Sequence, residues 1–297
     1  MSDPSVAAVD PTLAAFVASF QARYGAQLMA VLAYGSYLRG KRDTVLDFYV
    51  LLDGYAALPA LAGFANRLLP PNVYHLALGA GAARQAAKVA TISLDRFARA
   101  IETDFHCYFW ARFAQPFGVL HARDDAVRER LASLGRRAAK RMLASSIPLL
   151  PESFSSAAVW TRAFTLSYSA ELRSENPAAA AALHAAYGTM LDAQLAALSS
   201  ELDLQPLADR QWRQRPSLPA QRRALRQWRL RRALGKGLSI ARLLKAAFTF
   251  NDPLDYVVWK VARHSGVVEE PTALQRRHPL LFGWGVLWRL YRRGGFR

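Results

Sequence analysis

Hydrophobic positions recur at helical spacing over residues 11–24 (PTLAAFVASFQARY), where Leu13, Phe16, Val17 and Phe20 line one side, so the chain opens on an amphipathic helix. The period then shortens. Val31-Leu32-Ala33 reads as the end of a buried strand, Gly35-Ser36 as a tight turn and residues 46–52 (LDFYVLL) as a second strand. Helical spacing returns over 58–69, with Leu61, Phe64, Ala65 and Leu68 as an apolar stripe, until Pro70-Pro71 stops it. Strands are predicted at 73–78 and 89–92, and Ser93 is placed to cap a helix beginning LDRFARAI. From there to about Leu198 the pattern is mostly helical and alanine-rich. The fold class is therefore α+β: a mixed sheet with helices over 1–100, a mostly helical domain over 101–209 and a basic helical tail over 210–297.

The turn and the second strand carry the chemistry. A glycine lets the backbone approach phosphate oxygens, neighbouring N–H groups and the Ser36 hydroxyl can bind them, and Asp47, early on the second strand, can hold Mg²⁺ or another divalent cation against them. That is how a nucleotidyltransferase grips a nucleoside triphosphate. A plain hairpin with an aspartate near a strand end fits the same residues.

Charge narrows the partners. The chain has 39 Lys plus Arg against 22 Asp plus Glu, and no acidic residue occurs between Asp209 and Asp252, so the C-terminal third calls for an anionic partner. Within it, Arg222, Arg226 and Arg229 share a helical face beside Leu225 and Trp228. Such a helix could lie on anionic lipid, or line RNA backbone with Trp212 and Trp228 stacking on bases. Residues 279–288 (PLLFGWGVLW) are too short to span a bilayer but read as an interfacial anchor, with Trp284 and Trp288 on one face and Arg289 and Arg293 on another. Cys107 is the single cysteine, which excludes an intrachain disulfide and a thiolate zinc site and suits a reducing compartment. No signal or transit peptide is evident before Arg23, so a cytoplasmic protein, peripheral on the inner face of the cell membrane, is expected.

Several blocks together resemble one family. AYGSYLRGKRDTVLDFYVLLD, NVYHLAL, KVATISLDRFAR, WARFAQPF, LLPESFS and LSYSAELRSENP occur in the order found in the mitochondrial-type phosphatidate cytidylyltransferases, also known as the mitochondrial translocator assembly and maintenance proteins, and cover roughly residues 30 to 180. GKGLSIARLLKAAFTF, from Gly235, is similar to that family's basic C-terminal segment. The resemblance, to a prokaryotic member, implies transfer of CMP from CTP to phosphatidic acid, giving CDP-diacylglycerol and pyrophosphate for phospholipid biosynthesis at an anionic membrane surface.

It also implies roles for individual residues. Asp47 would be the metal-binding aspartate, and Glu171, which stands where the family has an aspartate, would be its partner in metal binding and catalysis; Glu171 reads equally as a helix-surface residue paired with Arg173 or Arg162. Lys88 would be catalytic. Tyr34, Gly35, Ser36, Arg39, Arg112, Tyr168 and Arg173 would bind the nucleotide, with Lys41 and Arg42 beside them. His75 and His106 lie near these blocks and read more simply as hydrogen-bonded structural histidines. Two alternatives stay open: a nucleotidyltransferase acting on RNA, although nucleic acid is the less favoured partner, and a non-catalytic membrane adaptor built on a degenerate fold.

Overall fold

The computed structural model describes residues 10–42, 44–79, 85–171, 177–208, 211–249, 258, 269–277 and 284–293. Asp10 caps the first helix, α1 (Pro11–Tyr24), by accepting hydrogen bonds from the Thr12 and Leu13 N–H groups. Strands β1 (Leu28–Tyr34), β2 (Leu46–Leu52), β3 (Asn72–Leu78), β4 (Gln85–Ser93) and β5 (Gly118–Ala122) form one sheet in the order β3-β4-β2-β1-β5. The β2/β4 pair is parallel and the other three are antiparallel, so the sheet is mixed. Short strands β6 (Ser153–Ser155), β7 (Gln205–Pro206) and β8 (Gln211–Arg213) make a second sheet in the order β6-β8-β7.

Alternation along β2 divides the core in two. Phe48 and Val50 face α1, where Phe16 and Phe20 bring their rings to 5.2 and 5.5 Å from that of Phe48. Tyr49 and Leu51 face a larger helical cluster. Helix α2 (Ala60–Leu68) joins β2 to β3; α3 (Leu94–Glu102), α4 (Trp110–Phe113), α5 (Asp125–Ser146), α6 (Ser156–Ser169) and α7 (Pro177–Leu198) follow. Of these, α3 to α7 cover the Tyr49 face of the sheet. The α+β class read from the sequence is what the chain adopts. As expected, Ser93 caps α3, its hydroxyl accepting from the Arg96 N–H at 3.3 Å.

The stripe on α2 faces the other way from a core stripe. Leu61, Phe64 and Leu68 are 74, 58 and 68% exposed, while Gly63 and Asn66 are buried. Amides decide this orientation: Asn66 Nδ2 donates to the Thr91 carbonyl at 2.8 Å, and Asn72 Nδ2 to the Ala62 carbonyl at 2.7 Å. Both bonds hold the polar side of α2 inward, which a hydrophobicity pattern does not register.

The basic segment does not behave as one solvated face. Helix α8 (Leu218–Thr249) buries Ala224, Trp228, Arg231 and Gly235, one residue per turn, against the helical part. Trp228 donates its indole N–H to the Ser145 carbonyl at 2.8 Å and packs edge-on to Trp110, so it is a core residue and available neither to lipid nor to RNA bases. Arg231 is buried too. Its guanidinium lies 4.8, 5.3 and 4.9 Å from the rings of Phe105, Trp110 and Trp228, and its Nε donates to the Phe105 carbonyl. Arg222, Arg226 and Arg229 remain exposed, as the spacing predicts.

Near its end, α8 reaches the large sheet. Lys245 donates to the Leu69 and Pro71 carbonyls and to Asn72 Oδ1, at 2.7 Å for Pro71 and 3.0 Å for Asn72. Burial and the adjacent Arg242 pull its ammonium down to about 8. Helices α9 (Ala273–Arg277) and α10 (Trp284–Arg292) complete the described chain. Trp284 and Trp288 are 69 and 61% exposed, whereas Val286 and Leu290 are buried. Arg289 and Arg293 reach Glu269 at 3.2 and 2.8 Å. The apolar run preceding Trp284, residues 279–283, lies outside the described residues. No helix among them is long and apolar enough to cross a membrane.

Candidate functional site

Strand register assembles the site. Tyr34 on β1 pairs with Asp47 on β2, Asp47 with Lys88 on β4, and Lys88 with His75 on β3, so four residues form one row across the sheet. By alternation, Asp47 and Lys88 share the face of Tyr49 and Ala90, beneath the helical part.

At the end of β1, Gly35 takes φ +91°, a conformation costly for any other residue. Its position against Asp47 is equally restrictive. A Cβ on Gly35 would stand 3.0 Å from Asp47 Oδ2, so the carboxylate lies directly against the backbone of the turn. Ser36 then shares a hydrogen bond with the Thr44 hydroxyl at 3.0 Å, closing the loop after the turn. Tyr37–Arg39 forms one 3₁₀ turn ending at Gly40, also at positive φ. Of the cations after the turn, Arg39 and Lys41 are exposed, while Arg42 lies over the Tyr37 ring at 4.5 Å and reaches Asp10 at 3.5 Å.

Arg112, on the short helix α4, is the bridge between the sheet and the helices. Its Nη1 donates to the Tyr49 hydroxyl at 2.9 Å and its Nη2 to Glu171 Oε2 at 3.4 Å, with both members of that ion pair largely buried. Its guanidinium also lies 5.6 Å from the Tyr34 ring and 4.4 Å from the Tyr108 ring. Glu171 is thus no helix-surface residue: it sits just past α6, turned inward, and neutralises Arg112. Tyr168, one turn earlier, is half-buried against the same core. Arg173 lies outside the described residues.

Tyr49, Tyr108 and Arg242 are the residues that sequence reasoning missed. Arg242, on α8, covers Tyr108 at 4.0 Å from the opposite end of the chain. Burial pushes the Tyr108 phenol up, but Arg112, Lys88 and Arg242 outweigh it and hold it below the ordinary tyrosine value. Period two already places Tyr49 on the face of Asp47, a usable signal. Nothing in the sequence separates Arg242 from the other cations of its helix.

His106 is structural, as its sequence context implies. One ring nitrogen bonds the Ala170 carbonyl at 3.3 Å and the other accepts from the Tyr108 N–H at 3.2 Å, while burial lowers its pKa, so the ring is neutral with both nitrogens occupied. Among the described residues no group of three or more His, Cys, Asp or Glu is assembled to enclose a metal ion. Magnesium does not require one, because it is commonly bound through one or two carboxylates with waters and substrate phosphates completing its shell.

No protein-family model matches the chain, and no curated protein matches it. Among solved structures, a nucleotidyltransferase-like protein from Exiguobacterium sibiricum matches over 95% of this chain and 90% of that one, at 12% identity and a TM-score of 0.27. Similarity at that level decides neither fold nor function, which leaves the chain's own geometry as the guide to its chemistry.

Proposed function

We propose that the protein is a nucleotidyltransferase that transfers CMP from CTP to phosphatidic acid, releasing pyrophosphate and forming CDP-diacylglycerol. The observation that carries the reading is the contact between the Asp47 carboxylate and the Gly35 backbone, where only glycine fits. A carboxylate set against the main chain of such a turn is an arrangement suited to holding a divalent cation beside a bound phosphate.

The chemistry asks little of the protein beyond alignment and charge. A non-bridging oxygen of the lipid phosphate forms a bond to the α-phosphorus of CTP, and the bond from that phosphorus to the oxygen bridging to the β-phosphorus breaks, the electron pair leaving on pyrophosphate. The nucleophile is already anionic at neutral pH, so no strong general base is needed, in keeping with the fully engaged His106. Asp47 would hold Mg²⁺, which supplies charge neutralisation on the triphosphate when bound, while the Ser36 hydroxyl would bind a phosphate oxygen and Glu171, the other expected metal ligand, is paired with Arg112. Lys88, beside Asp47 in the row, and Arg112, over Tyr34, bring positive charge to the same face. Tyr34 and the main chain of Gly35-Ser36 would orient the nucleotide, with Tyr168 packing nearby.

Preference for lipid over RNA as acceptor has one structural support: Trp228, a candidate for base stacking, is buried in the core. The exposed Arg222, Arg226 and Arg229 and the exposed indoles of Trp284 and Trp288 supply the cationic and interfacial surface that a membrane-borne substrate calls for. Vesicles containing phosphatidic acid, incubated with labelled CTP and Mg²⁺, should yield lipid-linked label with release of pyrophosphate. Label appearing on added RNA instead, or vesicle binding with no transfer under any divalent ion, would overturn the assignment.

A further inference from the structure

Tyr108 is held between two guanidiniums from distant parts of the chain, Arg112 at 4.4 Å and Arg242 at 4.0 Å from its ring centre. The Lys88 ammonium acts on the same phenol. The carboxylates beside this group are Glu171, bonded to Arg112, and Asp47, across the strands from Lys88. Arg242 donates Nε to the Pro70 carbonyl at 3.2 Å, while its Nη1 is buried with no hydrogen-bond partner among the described residues. A buried donor without an acceptor is unfavourable, the more so when it is charged, and an incoming anion would satisfy Arg242 Nη1.

We propose that Lys88, Arg112 and Arg242 form a binding site for a phosphate monoester dianion, with Arg242 as the member that α8 delivers. The unengaged Nη1 of Arg242 and the Lys88 ammonium, with the Arg112 guanidinium beside them already shared with Glu171 and Tyr49, suit a doubly charged monoester better than a singly charged diester. The inference deepens the function proposed above and rests on it for the identity of the ligand, since the headgroup of phosphatidic acid is such a monoester and inorganic phosphate is another. It also gives α8 a part in the site: the helix that buries Trp228 and Arg231 in the helical part and ties Lys245 to residues 69–72 carries the third cation into place.

Binding of the full-length chain to inorganic phosphate, and to phosphatidylcholine vesicles carrying either phosphatidic acid or phosphatidylglycerol, tests this directly without CTP. The wild-type chain should bind the phosphatidic acid vesicles more tightly than the phosphatidylglycerol vesicles, with inorganic phosphate competing. Arg242→Gln should weaken phosphate and phosphatidic acid binding about tenfold, the scale of one lost charge-assisted hydrogen bond, and Arg242→Lys should recover part of it. Equal binding of the two vesicle types, or affinities of a folded Arg242→Gln variant within about twofold of wild type for both phosphate ligands, would overturn the site. Arg242-dependent binding of inorganic phosphate without binding of phosphatidic acid would keep the site, assign it to a soluble monoester and remove the lipid-transfer reading. Arg242-dependent binding of both ligands with no CMP transfer would likewise keep the site while removing the proposed reaction.

Discussion

Asparagine in place of Asp47 is expected to lower CMP transfer by a factor on the order of 10³, the scale of losing one preorganised electrostatic stabiliser from an active site. The substitution keeps the shape of the side chain and removes its charge. Asp47 lies in a seven-residue strand paired on both sides, so neither the ladder nor the packing of Phe48 and Tyr49 is disturbed. Thermal unfolding should therefore shift by no more than about 2 °C, as for a change worth under 1 kcal/mol in a chain of this size. Initial rates with labelled CTP, paired with melting curves, check both halves. A variant that melts normally and retains a tenth or more of the wild-type rate would take Asp47 out of the mechanism.

Two glycines on one helix should respond to alanine with opposite signs. Gly235 passes over the end of α6 so closely that a Cβ would stand 1.9 Å from the Ala170 carbonyl oxygen and 2.3 Å from His106 Nε2, whereas a Cβ on Gly237 meets nothing within 4 Å. In an exposed helix interior, Gly→Ala stabilises by about 1 kcal/mol, and that is the expected gain for Gly237→Ala. At Gly235 the same propensity gain is overwhelmed, because the obstructing atom is backbone and the helix or the loop must move. The net cost should be about 2 kcal/mol or more, near the upper end for overpacked sites, lowering the melting temperature by roughly 4–8 °C. Glu171 follows Ala170, and Arg242 lies two turns beyond Gly235, so transfer activity should fall along with stability. Melting curves and rates for the two variants side by side decide the matter; equal shifts would show that α8 does not rest on residue 170.

How far the sequence disclosed this arrangement depended on whether local patterning or distant partners governed each element. Helix α1 and strand β2 were legible to the residue, because their apolar periods match the faces they bury. Asp47 and Gly35 were legible as a pair, since a turn and a strand start lie close in sequence. On α2 the pattern misled: hydrogen bonds from Asn66 and Asn72 outweigh three exposed apolar side chains. Trp228 and Arg231 were hidden in a run of arginines, and only the aromatic surroundings of Phe105 and Trp110, more than a hundred residues earlier, make their burial tenable. Glu171 and Arg112 show the middle case, each singled out from the sequence while their pairing was not foreseen.

The cations flanking Tyr108 give the molecule an optical property. Its phenol is held below the usual tyrosine value, while burial holds Tyr24, Tyr37, Tyr49 and Tyr74 above theirs, so as pH rises Tyr108 ionises ahead of those four. Tyrosinate absorbs at longer near-ultraviolet wavelengths than the neutral ring. An early absorbance wave that vanishes in Tyr108→Phe is the expected signature, and a bound anion that neutralises Arg112 and Arg242 would move that wave to higher pH. The chain thereby contains its own unlabelled chromophore for following anion binding beside Tyr108.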